Sequence, residues 1–405
     1  MKKLLFLSIT AVATMLFSFF VLPEIKKVNS LPDDMIVTFS DIKTANDTNE
    51  FSSLINLELP KNLVVANNGE LTDTVLNIKL FNLFTIKKVN VRLLTDTDVY
   101  VGGETVGFNL FSEGVICVGS NAVITDIGLR EPIASSGVEN GDAILKIEEI
   151  EINSITDIDR IINLPENKNK ELTLTIKRDG EIINTKIKPV FDLFSQKYKL
   201  GLWVRNNASG VGTLTYVKQS DFRFGAVGHP IVDASLGENF EVESGNIYKC
   251  KLHGIKKGEK NNPGEIRSSI NLSDDAIGFA DTNCKYGVYG NLLNKGIIDA
   301  SRTASLGGRL GVRLGDAKIY CSVDGHVKGY DIKIIKANKQ STADDKSMTI
   351  KVVDKELLSL TGGIIQGMSG SPIVQDGKIV GAVTHVFIND PTRGYGVYID
   401  WMVDN

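Results

Sequence analysis

The sequence contains few cysteines, prolines and histidines. Only 4 cysteines occur in 405 residues, and no two form a Cys-x-x-Cys pair. The sequence therefore supports neither a zinc ribbon nor a small disulfide scaffold. With 10 prolines, 23% charged residues and 38 glycines, the composition excludes a disordered chain and predicts a β-rich globular protein of two or three domains.

Positive and negative charges are nearly balanced, which bears on the partners to be expected. The net charge of −4 gives no reason to expect nucleic acid or an anionic membrane surface as a partner. No metal and no cofactor is indicated. Four scattered cysteines in an exported chain allow two disulfides, but no particular pair is favoured. Cys117, in the apolar run "GVICVG", is predicted to be a buried thiol. The others are Cys250, Cys284 and Cys321.

The N-terminus predicts export. Lys2 and Lys3 precede an uncharged, mostly apolar stretch from Leu4 to Leu22, and Pro23 follows it. A positive start before a long apolar run directs a chain into a membrane. No small-x-small cleavage site ends the stretch, so a signal-anchor over residues 1–22 is preferred to a cleaved signal peptide. The rest of the chain would then lie outside the cytoplasm.

The remainder divides at shifts in composition. Residues 23–96 are predicted to hold a linker, to about residue 45, and a small β region with short alternating runs such as "TVLNIKL". Residues 97–190 form a second unit. Residues 195–405 are rich in glycine and in short strand patterns, which predicts a sandwich or barrel. The fold class is therefore mainly β.

The second unit resembles a PDZ domain in its order of elements and in the core pattern Ser-Ser-Gly-Val-x-x-Gly-Asp-x-Ile-Leu. An amphipathic helix follows, with Ser154 or Thr156 as its N-cap. In PDZ domains the loop that binds a peptide carboxylate precedes the second strand, and "ETVGFNL" stands in that place. The resemblance therefore implies a peptide site at Val106, Gly107 and Phe108. The alternative is that this domain only packs against its neighbour.

The segment "GMSGSP", residues 367–372, raises the possibility of catalysis. It fits Gly-x-Ser-Gly-x-Pro, which resembles the nucleophile loop of chymotrypsin-like serine peptidases. Glycines let the backbone turn tightly around Ser369, and the N–H groups of Gly367 and Ser369 can then form one oxyanion hole. An Asp376-Gly377 hairpin follows. Ser371 is the rival nucleophile.

A serine nucleophile requires a base, and only 4 histidines are available. His253 and His326 lie beside lysines and turns, where exposure is expected. His229, in "FGAVGHPIVD", begins the domain ahead of the serine, as in the chymotrypsin order. It is the preferred base, and His385, in the strand "AVTHVFIND", is second.

Several longer stretches resemble the stage IV sporulation protein B (SpoIVB) peptidases. They include "SGVGTLTYV", "FGAVGHPIVD" and the last fifty residues. The resemblance implies a chymotrypsin-like double β-barrel and a triad of His229, Asp354 and Ser369. Residue patterns alone leave Asp233 and Asp281 open as the acid, and Asp354 is equally placed to cap a helix over "KELLSL". Pro230 departs from the family pattern.

The resemblance also implies a biological role. SpoIVB peptidases are exported from the forespore and act in the space between forespore and mother cell. They cleave themselves, here within the N-terminal segment, and then a membrane protein that restrains an intramembrane metalloprotease, which leads to pro-sigma-K processing. Two alternatives are a PDZ scaffold with an inactive barrel and a general extracytoplasmic quality-control protease. The order of the domains and the intact His229 and Ser369 favour the regulatory peptidase.

Overall fold

The computed structural model describes residues 14–15, 17–47, 52–63, 71–94, 98–338, 340 and 342–403. Residues 1–13 and 16 of the predicted signal-anchor lie outside these ranges. Within the described ranges, no helix has the length and apolar character needed to cross a membrane. A π-helical turn, Phe17–Val21, leads directly into helix α1 (Leu22–Asn29).

An N-terminal unit surrounds its own core. After α1 come β1 (Asp34–Thr38), α2 (Phe39–Asp47), β2 (Ile55–Glu58), β3 (Leu71–Leu80) and β4 (Phe84–Leu94). The strands pair in the order β1-β4-β3-β2. Apolar residues of both helices and of β1, such as Val28, Met35 and Ile42, are buried against this sheet. The linker predicted up to residue 45 is therefore wrong, because these residues bury apolar surface in a folded core.

The middle unit runs from residue 98 to residue 187 and includes the predicted amphipathic helix and hairpin among its elements. They are β5 (Asp98–Val101), β6 (Thr105–Ser120), β7 (Val123–Thr125), β8 (Gly128–Arg130), β9 (Ala143–Ile147), β10 (Ile150–Glu151), α3 (Ile155–Ile162), β11 (Leu172–Arg178) and β12 (Glu181–Ile187), with 3-10 turns at Pro132–Ser135 and Pro165–Asn167. Ser154 caps α3, because its hydroxyl accepts a hydrogen bond from the Asp157 N–H at 3.2 Å. Positive φ angles at Asp179 and Gly180 form the predicted hairpin turn between β11 and β12.

The C-terminal half is built from short strands. They are β13 (Val190–Asp192), β14 (Lys197–Lys199), β15 (Leu202–Lys218), β16 (Arg223–Ala226), β17 (Ser244–Lys256), β18 (Glu265–Ile270), β19 (Gly278–Cys284), β20 (Gly287–Leu292), β21 (Thr303–Leu306), β22 (Gly315–Cys321), β23 (Lys328–Ala337), β24 (Met348–Val352), β25 (Pro372–Gln375), β26 (Lys378–Phe387) and β27 (Asp390–Tyr398). The helices are α4 (Lys355–Thr361) and α5 (Ile399–Val403), with 3-10 turns at Lys295–Ile297 and Arg309–Gly311. Most of these strands join one closed, continuous sheet.

This sheet encloses two main hydrophobic cores. One lies among β6 and β15 to β20 and includes Phe108, Phe224 and Ile247. The other lies among β22 to β27 and includes Ile319 and Ile350. The segment that carries His229 follows a strand of the first core, and the segment that carries Ser369 precedes a strand of the second. The candidate catalytic residues therefore come from opposite halves of the sheet.

The predicted peptide site at Val106, Gly107 and Phe108 is wrong. These residues lie inside β6, which pairs with β15 on one side and with β17 on the other. Val106 and Phe108 are fully buried. An extended peptide can add to a sheet only at a free strand edge, and this stretch has none. It is a core strand of the barrel, which the apolar run "TVGFNL" also fits.

We expect Gly107→Glu to destabilise the barrel itself. A Cβ atom at Gly107 would lie 2.3 Å from Cγ1 of Ile270. The added carboxylate would be buried without a partner, which predicts a loss of about 3 kcal/mol or more in the free energy of unfolding. The matched control is Gly119→Glu in the same strand, where the nearest atom would be Trp203 Cβ at 3.8 Å. Urea unfolding of both variants tests this, and equal midpoints would contradict it.

Candidate active site

The loop that carries Ser369 is held by the neighbouring strand β15. Gly367 and Gly370 have φ angles of +96° and +95°, which favour glycine. The Thr213 N–H donates to the Ser369 carbonyl at 2.8 Å, and the Thr213 hydroxyl donates to the Gly367 carbonyl at 2.8 Å. The Thr215 hydroxyl donates to the Gly370 carbonyl at 2.7 Å. These bonds fix the backbone of the loop on both sides of the serine.

The two serines of the loop have different surroundings. Ser369 is half-buried, and its hydroxyl donates to the Thr384 carbonyl at 2.7 Å. Ser371 is fully buried, and its hydroxyl has no hydrogen-bond partner among the described residues. A substrate therefore has a route to Ser369 but not to Ser371. The geometry supports Ser369 as the nucleophile, as the pattern predicts.

Two backbone N–H groups beside the nucleophile are available. In the described part of the chain, the amides of Gly367 and Ser369 have no hydrogen-bond partner, whereas Met368 and Gly370 donate to the carbonyls of Ile365 and Val383. Unpaired donors flanking a nucleophile can stabilise the negative charge that develops on a substrate carbonyl. These are the two amides that the sequence pattern predicts for an oxyanion hole.

His229 lies at the end of a strained turn. Val227 and Gly228 both have positive φ angles, which is uncommon for a β-branched residue such as valine. A Cβ atom at Gly228 would lie 3.3 Å from Cγ2 of Thr384, so the turn packs against the residue whose carbonyl accepts from Ser369. The turn therefore brings the histidine segment and the serine loop to the same place.

The two ring nitrogens of His229 differ in their hydrogen bonding. Nδ1 lies 2.9 Å from the Pro230 carbonyl, which can only accept, so this nitrogen carries the proton. Nε2 is then the unprotonated nitrogen and is free to accept a proton from a hydroxyl. Burial lowers the pKa of His229 below its ordinary value of 6.5. His229 is therefore neutral, as a general base must be, at and above mildly acidic pH.

A second histidine and a carboxylate complete the cluster. The rings of His229 and His385 lie 5.3 Å apart between centroids. Nδ1 of His385 lies 3.7 Å from Oδ2 of Asp345. The Thr384 hydroxyl donates to the Asp345 backbone carbonyl at 2.7 Å, which fixes the loop that carries this acid. Burial lowers the pKa of His385, and the neighbouring imidazole of His229 lowers it further when that ring is charged.

The carboxylates considered from the sequence lie elsewhere. Asp354 caps α4, where one oxygen accepts from the amides of Glu356 and Leu357 at 2.9 Å. Asp233 pairs with Arg205 at 3.3 Å and Asp281 pairs with Arg223 at 2.9 Å. The structure thus brings His229 and Ser369 together, but it does not place Asp354 against the imidazole. Asp345 lies in the polar loop "STADDKS", where no pattern in the sequence marks it.

The other histidines and the thiols are separate from this cluster. His253 bonds to the Ser269 hydroxyl at 2.7 Å on an exposed hairpin, and His326 lies in an exposed turn. All four cysteines are free thiols. Cys117 is buried, as predicted, and burial raises the pKa of its thiol. A thiol with a raised pKa is protonated at neutral pH and reacts poorly as a nucleophile.

Comparison with known proteins supplies the family. The family model described as SpoIVB peptidase S55 matches residues 196–403, just over half of the chain. This chain belongs to the SpoIVB peptidase family. It is a serine peptidase, and a PDZ domain model matches residues 90–188 ahead of the peptidase.

A crystal structure of the Rv3671c protease from M. tuberculosis, in its active form, is similar at 15% sequence identity with a TM-score of 0.23. The similarity covers 47% of this chain and 70% of that one. None of the curated proteins matches this sequence.

We expect the two candidate acids of this SpoIVB family member to differ on mutation. Asp345→Asn removes the carboxylate that lies 3.7 Å from Nδ1 of His385 and should slow catalysis by about 10- to 100-fold. Asp354→Asn keeps an N-cap acceptor, so stability and turnover should stay near those of the unaltered chain. Turnover and thermal unfolding of both variants test this. A loss of about 10⁴-fold for Asp354→Asn alone would show that Asp354 serves His229 during catalysis.

The rate of reaction at Ser369 should fall only at pH values below the ordinary pKa of histidine. The base acts only when neutral, and burial of His229 lowers its pKa below 6.5. The rate of Ser369 labelling by a fluorophosphonate should therefore rise with pH and reach half its maximum below pH 6.5. Labelling rates measured from about pH 4.5 to pH 8 test this, since that range spans an ordinary histidine titration. A midpoint above about pH 7 would contradict the account.

Proposed function

We propose that this chain is a regulatory serine endopeptidase in which Ser369 is the nucleophile and His229 the general base. In the structure the Ser369 hydroxyl donates to Thr384, so catalysis requires it to rotate toward Nε2 of His229. The base then takes the hydroxyl proton while Ser369 Oγ bonds to the scissile carbonyl carbon. The amides of Gly367 and Ser369 would hold the resulting oxyanion. The observation that carries this proposal is a half-buried serine beside two unpaired amides and an imidazole with Nε2 free.

The acid of the triad is part of the proposal. The family resemblance implies Asp354, and the geometry favours Asp345, whose Oδ2 lies 3.7 Å from Nδ1 of His385. Burial lowers the pKa of both imidazoles, and the negative charge of Asp345 partly offsets this by raising it. The Pro230 carbonyl already orients Nδ1 of His229 in the way that a triad carboxylate does. A carboxylate would add electrostatic stabilisation of the imidazolium that forms during attack.

We also propose that the peptidase is a chymotrypsin-like double β-barrel. The two hydrophobic cores of the sheet support it, as do the positions of His229 and Ser369 on opposite halves. In such a fold the catalytic residues converge in the cleft between two barrels, and the cleft accepts an extended substrate. This arrangement suits cleavage within a chain rather than removal of terminal residues.

The proposed substrates follow from the family. SpoIVB peptidases act in sporulation, and we propose a membrane-bound regulator between forespore and mother cell as the target. Its cleavage would release an intramembrane metalloprotease that processes pro-sigma-K. The chain would also cleave its own N-terminal segment. The apolar stretch from Leu4 to Leu22 supports attachment to the forespore membrane, with the peptidase in the intermembrane space.

Mass mapping of the purified chain tests the proposal. The unaltered protein should produce discrete N-terminal fragments and cut a peptide from the membrane regulator, whereas Ser369→Ala should do neither. Unfolded casein is the control substrate and should be cut slowly or not at all. Rapid casein cleavage would favour a general quality-control protease, and an absence of all cleavage would favour a scaffold.

A further inference from the structure

The C-terminal part of β6 and helix α3 form a groove in the PDZ domain, and this groove is not empty. Residues 198–206 of the same chain run through it, outside the PDZ match and inside the peptidase match. Leu202 to Arg205 pair antiparallel with Ser120 to Ile116 of β6. Adding an extended strand at a sheet edge is how such domains bind peptides. The segment therefore occupies the position of a bound peptide.

The two ends of α3 hold the two ends of this segment. At the C-terminal end, the Asn163 side chain accepts from the Tyr198 N–H at 2.9 Å and donates to the Tyr198 carbonyl at 3.3 Å. At the other end, the Asn206 side chain donates to the Asn153 carbonyl at 3.0 Å. The segment thus runs along the whole helix in the opposite direction. The Asn163 contacts reach main-chain atoms of the segment and would hold almost any residue at that position, whereas the Asn206 contact requires this side chain.

Alternate side chains of the segment face the PDZ core. Leu200 is buried, and Leu202 and Val204 pack against the cluster that contains Ile158 and Ile161 of α3. Trp203, between the last two, points away and is 62% exposed. The groove therefore selects apolar residues at every second position of an extended chain.

The same segment continues into the strand that supports the catalytic loops. The Arg205 guanidinium contacts Asp233 at 3.3 Å and donates to the Ser235 hydroxyl at 2.6 Å, in the loop that follows His229. Farther along β15, Thr213 and Thr215 hold the backbone of the Ser369 loop. One continuous strand thus connects the PDZ groove to both catalytic segments.

We infer that the peptide site of the PDZ domain is the groove between residues 116–120 and α3, and that residues 198–206 are its resident ligand. Because the ligand is tethered, its effective concentration is on the order of millimolar, which excludes weak external peptides. Its docking keeps β15 in register beneath the nucleophile loop. The PDZ domain thereby positions the peptidase site, and an external chain reaches the groove only by displacing this segment.

A peptide-binding experiment on the full chain tests the inference. The probe is a fluorescein-labelled synthetic peptide of residues 198–206, YKLGLWVRN. Val204→Glu places a charge on the buried side of the resident strand and should release it, so that this variant binds the probe at least about tenfold more tightly than the unaltered chain. Trp203→Glu is the matched control, since it places the same charge on the exposed side and should bind no better than the unaltered chain.

Two results of the binding experiment would show that residues 198–206 are not the ligand of the groove. Equal binding by the unaltered chain and Val204→Glu, or no binding by a folded Val204→Glu, would overturn the inference. If Val204→Glu fails to fold, hydrogen exchange replaces it. In residues 116–120, the amides that face the segment should be protected in the unaltered chain and exchange faster in Asn163→Ala, which loosens the segment at the end of the helix, whereas the Cys117 amide, which donates to the Asp142 carbonyl, should not change. Unprotected amides in the unaltered chain would equally overturn the inference.

A separate measurement tests whether docking of residues 198–206 supports catalysis. This part of the inference rests on the proposed function. Fluorophosphonate labelling of Ser369 should be about 10- to 100-fold slower in Val204→Glu and unchanged in Trp203→Glu. Equal rates in the two variants would refute the coupling. If the unaltered chain is not labelled, the proposed function fails, while the binding data still decide whether residues 198–206 are the ligand.

Discussion

Ser369→Ala is expected to abolish self-cleavage and substrate cleavage, with a loss in turnover of about 10⁴- to 10⁶-fold. The substitution removes the hydroxyl that attacks the scissile carbonyl. It also removes one hydrogen bond to the Thr384 carbonyl, which should cost no more than about 1 kcal/mol of stability. Turnover and thermal unfolding, measured on the same preparation, separate the chemical effect from the structural one.

Ser371→Ala is the matched control for this substitution. Ser371 is fully buried, and its hydroxyl has no hydrogen-bond partner among the described residues. Shortening the hydroxymethyl side chain to methyl removes an unsatisfied buried hydroxyl and should be neutral or slightly stabilising. Substantial activity should therefore remain. If Ser371→Ala is inactive while Ser369→Ala is active, the assignment of the nucleophile is wrong.

His229→Ala is expected to have an effect of similar size, about 10⁴-fold or more in turnover. Its ring is oriented by the Pro230 carbonyl, with Nε2 left to accept the serine proton. Alanine leaves the strained turn at Val227 and Gly228 in place, so the fold should persist. Labelling of Ser369 by a fluorophosphonate should fall with turnover, because the probe also requires an activated hydroxyl.

His385→Ala tests which of the two adjacent histidines is the general base. His385 lies beside His229 and 3.7 Å from Asp345, and we assign the role of accepting the serine proton to His229. We expect a loss of about tenfold, from weaker support of the catalytic imidazole. A larger loss for His385→Ala than for His229→Ala would exchange the roles of the two histidines.

Local features of the site were predictable from the sequence. The glycines around Ser369 mark the tight loop, and Ser154 marks the start of α3, because both depend on the chemistry of neighbouring residues. The apolar approach to His229 likewise marks the segment that the structure places beside Thr384, next to the Ser369 loop. In each case a few consecutive residues carry the physical signal.

Features set by long-range pairing were not predictable in this way. β6 is a single strand of 16 residues that passes from the barrel into the PDZ domain near Gly114, whose φ angle is +69°, and one glycine inside a strand pattern does not reveal such a change of partners. The peptide site was therefore placed too early, at Val106 to Phe108. Asp345 lies in a polar loop, and its approach to His385 depends on how β24 and β26 pack in the folded chain. Its distance from Ser369 along the sequence therefore does not indicate a role in the site. The segment of residues 23–45 is polar on average, which concealed the apolar faces of α1 and α2.

Mass mapping of the fluorophosphonate adduct on the folded, unaltered chain tests whether Ser369 is the nucleophile and whether His229 activates it. We expect a single adduct on Ser369, which disappears in His229→Ala although that variant remains folded. An adduct on Ser371 or another serine, labelling that survives loss of His229, or no adduct at all would contradict these two assignments.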